Sequence, residues 1–138
     1  MGNMPHFTPR VPDIDDFGTV LQCMDGRPQR KVMDYLTTSL GVRYIDTITT
    51  AGLVRHLAEP TDRTSRLMAD LDVSVEAHGS RKIAVAAHHD CAGNPASDST
   101  QKHQVGAAIV RLADAHPGLE VVGLWLGENW IVERVRAG

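Results

Sequence analysis

Two short motifs combine ionisable side chains with both cysteines of the chain. Cys23, Asp25 and Arg27 lie in the segment Cys-Met-Asp-Gly-Arg, and His88 and Cys91 lie further on in His-His-Asp-Cys. Two thiolates and an imidazole suit Zn²⁺, which prefers sulfur and nitrogen ligands in tetrahedral geometry. Three ligands leave one coordination position open for chemistry. The function therefore depends on whether Asp25 leaves that position open or fills it.

Each motif also has a simpler interpretation. Cys23 and Cys91 could be inert buried thiols, because free cysteine is often a core residue. Asp25 and Arg27 could be a purely structural ion pair. The spacing of His88 to Cys91, and the charged residues beside Cys23, favour the metal site.

Length and composition indicate one soluble globular domain. The chain has 138 residues, of which 42% are hydrophobic, and a net charge of −3. This size can bury a core without disulfides. The charge gives no basic field for nucleic acid or an anionic membrane, and no apolar run approaches the ~20 residues of a membrane span. We expect neither partner.

The chain divides into a short arm and a domain. Residues 1–16 contain three prolines and are predicted to form an extended arm, and residues 17–138 a single α/β zinc-binding domain. No apolar segment typical of a signal peptide is found near the start, which predicts a cytoplasmic location. In that reducing compartment a Cys23–Cys91 disulfide is not expected.

Hydrophobic patterning alternates strands with helices. This alternation predicts an α/β fold: a mainly parallel β-sheet flanked by helices, with a C-terminal edge strand or hairpin. The predicted strands are 18–23, 44–49, 82–87, 119–126 and 130–135. The predicted helices are 29–40, 53–58 (a single short turn), 63–78 and a fourth from 97 or 98 to about 115.

Both motifs come directly after predicted strands. In open α/β sheets, ligands bind outside the carboxyl ends of the strands. Two strand ends that are distant in sequence can therefore bring Cys23, His88 and Cys91 to one point.

The two motifs, in this order, resemble the zinc-binding signatures of β-class carbonic anhydrases. Cys-x-Asp-x-Arg and His-x-x-Cys are both matched, an Ala-Gly turn lies between them at Ala51 and Gly52, and the resemblance covers roughly residues 18–126. It implies reversible hydration of carbon dioxide to bicarbonate through a zinc-bound hydroxide, with one Zn²⁺ per chain. It also implies a homodimer or higher homo-oligomer with the active site at the dimer interface. The implied metal ligands are Cys23, His88 and Cys91, and the implied catalytic pair is Asp25 and Arg27.

Some positions depart from the family pattern. The chain is short, and Gly26, Thr50 and Ala92 replace residues that are usual next to the motifs. Relatives of this family hydrolyse carbonyl sulfide (COS) or carbon disulfide (CS₂), so the fold and ligands do not determine the substrate. Two alternatives stay open: a zinc hydrolase of COS or CS₂, and a non-catalytic zinc-bound protein.

The charge of the ligand set indicates that the neighbouring residues take part in the chemistry. Two thiolates cancel the charge of Zn²⁺, so Asp25 is expected to orient the nucleophile by accepting its hydrogen bond. Arg27 would offset the carboxylate charge and keep Asp25 off the metal, which gives the site an open and a closed state.

Other residues receive weaker assignments. His89 and His103 are candidate proton carriers, and Leu53 and Val54 are candidates for an apolar substrate pocket. Asp90 is expected to be a turn residue or hydrogen-bond acceptor. Three histidines are predicted at the surface: His56, His78 and His116. Two tryptophans are predicted to be core or interface anchors: Trp125 and Trp130.

Overall fold

A computed structural model describes residues 15–137 and shows a five-stranded sheet flanked by helices, which confirms the predicted α/β class. The strands are β1 (Asp15–Gln22), β2 (Val42–Thr49), β3 (Lys82–His88), β4 (Glu120–Leu126) and β5 (Val132–Val135). The helices are α1 (Gln29–Ser39), α2 (Leu53–Ala58), α3 (Thr64–His78) and α4 (Asp98–Ala115). No helix in the described range is long and apolar enough to cross a membrane.

The strand order, β2-β1-β3-β4-β5, places the two motif-bearing strands side by side. The first four strands are parallel, and β5 forms an antiparallel hairpin with β4 at the edge. From β1 the chain proceeds outward to β2 and then returns to the other side of β1 as β3. This reversal creates a crevice at the carboxyl ends of β1 and β3, which is where ligands bind in such sheets.

Each face of the sheet has its own apolar layer. Along β3, Ile83, Val85 and Ala87 belong to a cluster covered by α2, α3 and α4, whereas Ala84 and Ala86 belong to a cluster covered by α1. This is the alternation expected of a strand, whose successive side chains point to opposite faces. Burial on both sides explains why β3 is a continuous apolar run.

The first strand begins earlier than predicted. β1 starts at Asp15, whose N–H donates to the Gly41 carbonyl at 2.9 Å and whose carboxylate lies 3.3 Å from Lys82 Nζ. The last two residues of the predicted arm, 15 and 16, are therefore part of the sheet. Residues 1–14 of that arm lie outside the described residues.

His56 is buried, and the prediction of a surface residue is wrong. It is only 3% exposed, because it lies on the covered side of the short α2, together with the buried Leu53 and Leu57. Nδ1 lies 2.6 Å from Thr61 Oγ1, and the backbone carbonyl accepts a hydrogen bond from Thr64 Oγ1 at 2.5 Å. His56 thus joins α2 to the start of α3. His78 and His116 are less buried and pair with Asp46 and Asp72.

The buried position of His56 predicts a pH-dependent contribution to stability. Burial, with the charges of Arg55 and Arg63, lowers the pKa of His56. The unfolded chain therefore binds this proton at a higher pH than the folded chain, and stability is lost as the pH falls below about 6.5. We expect His56→Gln to cost roughly 1–3 kcal/mol at pH 7.5, through the lost buried hydrogen bond, and less at pH 5.5.

Urea unfolding of reduced, metal-free protein at the two pH values measures this difference. His103→Gln, which changes an exposed histidine on α4, is the matched control and should cost the same small amount at both. A His56→Gln penalty that stays constant between pH 7.5 and 5.5 would contradict the prediction.

Candidate metal centre

The loop after β1 is held in shape by two glutamines. Gln29 Nε2 donates to the carbonyls of Cys23 and Asp25, at 3.1 and 2.8 Å. Its Oε1 accepts from Gln22 Nε2 at 2.9 Å. The loop is therefore wrapped around the first residue of α1. Neither glutamine was identified from the sequence. The only signal there was the position of Gln22, a polar residue at the end of an apolar strand, and the structure shows that this residue is buried.

The loop after β3 carries the second motif. His88 is the last residue of β3, and the next N–H, that of His89, donates to the Leu126 carbonyl at 2.8 Å. Asp90 then adopts a left-handed conformation with φ 58°. This sharp turn returns the chain, so that Cys91 is buried close to His88.

The turn of Ala51 and Gly52 is the third element of the site. Gly52 has φ 61°, and its N–H donates to Cys23 Sγ at 3.4 Å. A Cβ atom at this position would lie 2.3 Å from the Gly93 carbonyl oxygen, so only glycine fits. The close approach of Gly52 to Gly93 fixes this turn, which follows β2, against the loop after β3.

The predicted metal ligands form one buried cluster. The donor atoms of Cys23, His88 and Cys91, hereafter the Cys–His–Cys cluster, lie within 4.8 Å of one another. The two Sγ atoms are 3.7 Å apart, well beyond the ~2.05 Å of a disulfide bond. His88 Nδ1 donates to the His89 carbonyl at 2.8 Å, and among the described residues its buried Nε2 has no hydrogen-bond partner. An imidazole fixed at one nitrogen and unpartnered at the other is typical of a metal ligand.

The protonation of the cluster favours a cation. Burial alone would raise the pKa of Cys23, but the His88 imidazole and backbone N–H groups, including that of Gly52, lower it to about 7. Burial and the neighbouring Cys23 raise the pKa of Cys91. Burial opposes protonation of His88, yet the interaction with Cys23 raises its pKa overall. Two thiolates at this distance repel each other, so ionising both requires a positive ion between them, which the donor set of Zn²⁺ fits.

Asp25 lies at the edge of the cluster and is held by Arg27. The guanidinium donates from Nε to Oδ1 at 3.1 Å and from Nη2 to Oδ2 at 2.8 Å, and the Arg27 backbone N–H also donates to Oδ1. These hydrogen bonds lower the pKa of Asp25 to about 2, although partial burial opposes them. Oδ2 lies 3.9 Å from His88 Nε2, so the carboxylate faces the cluster while it is bound to Arg27.

Arg27 has two further partners, one of which was not expected at the site. Nη2 donates to the Asp90 carbonyl at 3.0 Å, and Nη1 lies 3.3 Å from the Asp90 carboxylate. The centroid of the Trp130 ring lies 4.9 Å from the guanidinium carbon of Arg27. The sequence contains no local signal for Trp130, because only the β4–β5 hairpin brings it to the site.

Four residues with weaker assignments lie elsewhere or are already engaged. His89 Nδ1 is paired with Asp98 at 2.9 Å. His103 lines a surface cavity between α4 and the end of β5, and none of the residues lining it belongs to the Cys–His–Cys cluster. Leu53 and Val54 are packed in the apolar core. The structure therefore does not place Leu53 or Val54 in an open substrate pocket.

Comparison with known families identifies a relationship over almost the whole chain. A family model described as "putative carbonic anhydrase" matches residues 14–136. No curated protein matches the chain.

Solved structures with a similar fold are β-carbonic anhydrases. Isoform I from Trichomonas vaginalis superimposes with a TM-score of 0.60 at 15% identity, covering 97% of this chain and 90% of that chain. The tetrameric β-carbonic anhydrases of Sordaria macrospora give 0.59 at 18% identity, with 95% and 86% covered. CafA of Aspergillus fumigatus gives 0.56 at 14% identity, with 87% and 76% covered.

At these identities the structural likeness shows the fold alone. The family match, in contrast, spans both motifs and every helix and strand of the described fold. This chain therefore belongs to the carbonic anhydrase family that the model describes, and it has the fold of the β-carbonic anhydrases.

Proposed function

We propose that the protein binds one Zn²⁺ per chain through Cys23, His88 and Cys91 and catalyses the reversible hydration of carbon dioxide to bicarbonate. One observation carries the proposal: a buried sulfur–sulfur–nitrogen cluster with an unpartnered imidazole nitrogen lies beside a carboxylate held by arginine. Bound zinc would lower the pKa of water enough to supply a nucleophile at neutral pH.

Asp25 would act as a hydrogen-bond acceptor that orients the attacking water. The backbone N–H and the guanidinium of Arg27 donate to Oδ1, whereas Oδ2 accepts only from the guanidinium, whose Nε is shared between the two oxygens. Oδ2 lies 3.9 Å from His88 Nε2 and so retains acceptor capacity towards the cluster. A proton of the water held at Asp25 Oδ2 would direct an oxygen lone pair at carbon dioxide. This is positioning by a group already fixed by the fold.

Arg27 would offset negative charge at the site. Asp25 lies close to two thiols that must ionise to bind zinc, and a second carboxylate, Asp90, lies on the other side of the guanidinium. The permanent charge and planar donor fork of arginine suit this position. Because its side chain is partly exposed, Arg27 also presents a positive charge to the bicarbonate anion at the opening of the site.

The proposal includes a homodimer or higher homo-oligomer. Two apolar residues next to the site are strongly exposed in the single chain: Met24 at 65% and Ile131 at 61%. Exposed apolar surface of this kind is often covered by another subunit. The Sordaria macrospora relatives are described as tetrameric. We also propose a reducing compartment such as the cytoplasm, since both thiols must stay reduced.

Zinc binding should depend on His88 and not on its neighbour. We expect one zinc per chain in the purified protein and a loss of affinity of more than roughly tenfold in His88→Ala, because the imidazole is a direct ligand. His89→Ala is the matched control, since Nδ1 of His89 faces Asp98. Elemental analysis measures the zinc content of the purified protein, and competition with a chromophoric chelator measures the zinc affinity of each variant. Equal affinities for His88→Ala and His89→Ala would exclude His88 as a ligand.

Activity should depend on the Asp25 carboxylate. We expect Asp25→Asn to keep its zinc and to lose about 100-fold in kcat for carbon dioxide hydration, since the amide no longer accepts as a carboxylate does. Stopped-flow assays between pH 6.5 and 9 measure the rate, with Asp98→Asn as the control. Sulfide release from COS is assayed on the same sample. Brisk sulfide release without carbon dioxide hydration would show a different substrate.

Removing Arg27 should allow Asp25 to become a fourth metal ligand. We expect Arg27→Ala to change the visible spectrum of the cobalt-substituted protein, which is sensitive to coordination. The double variant Arg27→Ala/Asp25→Ala should lack the part of the change that is caused by the carboxylate. If the single and double variants have the same spectrum, Asp25 does not close the site.

A further inference from the structure

The hairpin between β4 and β5 contains an unusual backbone position at Trp130. The Trp130 N–H donates to the Gly127 carbonyl at 2.9 Å, which closes a tight turn, and Trp130 itself has φ 57°. A residue that follows such a turn in the left-handed region is usually glycine or asparagine. A bulky aromatic residue there is a genuine outlier, and such outliers are concentrated at functional sites.

Both non-glycine residues with positive φ in the range 15–137 contact the same side chain. They are Asp90 and Trp130, and both contact Arg27. Asp90 approaches the guanidinium nitrogens with its carbonyl and its carboxylate, and Trp130 presents its ring to the guanidinium carbon. The two strained positions lie on different loops, and Arg27 is the partner that they have in common. Their common effect is to fix Arg27.

The contacts of Arg27 use different parts of its planar group. The donor nitrogens are occupied by Asp25 and Asp90, while the indole of Trp130 lies against the central carbon at 4.9 Å. Hydrogen bonds restrain the group within its plane, and an aromatic face restrains it from the side. The same indole lies 6.0 Å from the His88 ring, so it spans from the ion pair to the cluster.

Core packing alone does not account for Trp130. Its side chain does contact the apolar cluster beneath α1, but apolar packing there does not require a left-handed tryptophan. The turn geometry would be satisfied by glycine, which has no conformational penalty at this φ. The features that only an aromatic side chain supplies are the contact with the guanidinium and the approach to the His88 ring, and the guanidinium is the nearer of the two.

We infer that Trp130 is a positioning residue for Arg27. It holds the guanidinium on Asp25, and so keeps the carboxylate in the orientation that leaves the metal position open. The inference rests on the proposed function for its significance, but the contact between Trp130 and Arg27 can be tested without any catalytic assay.

The test compares Trp130→Leu, which keeps apolar volume, with Trp130→Phe, which keeps an aromatic face. In cobalt-substituted protein, Trp130→Leu should shift the visible spectrum in the same direction as Arg27→Ala, and Trp130→Phe should retain the wild-type spectrum. The double variant Arg27→Ala/Trp130→Leu should shift no further than Arg27→Ala alone. For carbon dioxide hydration, Trp130→Leu should lower kcat roughly tenfold through misplacement of the dyad.

These outcomes separate the inference from the proposed function. A protein that hydrates no carbon dioxide contradicts the proposed function, yet the spectral comparison still decides the role of Trp130. If Trp130→Leu has the wild-type spectrum, or if its effect adds to that of Arg27→Ala, the inference is overturned.

A reciprocal measurement applies if Trp130→Leu does not fold. In a Trp125→Phe background, the fluorescence of Trp130 should change in Arg27→Ala. It should not change in Lys102→Ala, which removes the cation near Trp125 instead. Unchanged Trp130 fluorescence in Arg27→Ala would also overturn the inference.

Discussion

The geometry of the site depends on the ion pair between Arg27 and Asp25. The Cys–His–Cys cluster supplies sulfur and nitrogen donors, but the nearest carboxylate would itself be a good metal ligand if it were free to move. Three hydrogen bonds from the Arg27 side chain and one from its backbone N–H hold it beside the cluster. Under the proposed function, the pair would determine whether the same four residues form an open or a closed metal centre.

The topology brings the pair and the cluster together at little conformational cost. β1 and β3 are adjacent and parallel, so the loops that follow them leave the sheet at the same edge. Gly52 and Gly93 allow the turn after β2 to touch the loop after β3, and the hairpin after β4 contributes Trp130 to the same edge. Three separate chain segments thus meet around Arg27, each held by a strand of the buried sheet. A site built on such elements is held more precisely than one on free loops.

The sequence predicted the elements that depend on local pattern. Continuous apolar runs identified the buried strands, and the spacing of His88 to Cys91 after one of them located two of the three cluster residues. His56 was misjudged, and the contact of Trp130 with Arg27 was not predicted, because both depend on tertiary packing. His56 lies on the covered side of a short helix, and an antiparallel hairpin brings Trp130, which packs on the core as predicted, to Arg27. Gln29 was missed because a polar residue opening a helix has no distinctive pattern.

Charge balance explains why the site requires so many polar partners. Two ionised thiols and two carboxylates, Asp25 and Asp90, would place four negative charges around one imidazole and one guanidinium. A bound divalent cation would offset the charge of the two thiolates, and Arg27 would offset one of the two remaining carboxylate charges. The remaining negative charge is tolerated because the Asp90 carboxylate is exposed to solvent, which screens it. Asp90 also contacts Arg27 through its backbone carbonyl. Asp90 therefore contributes more through its backbone carbonyl than through its charge, and its left-handed conformation aims that carbonyl at the guanidinium.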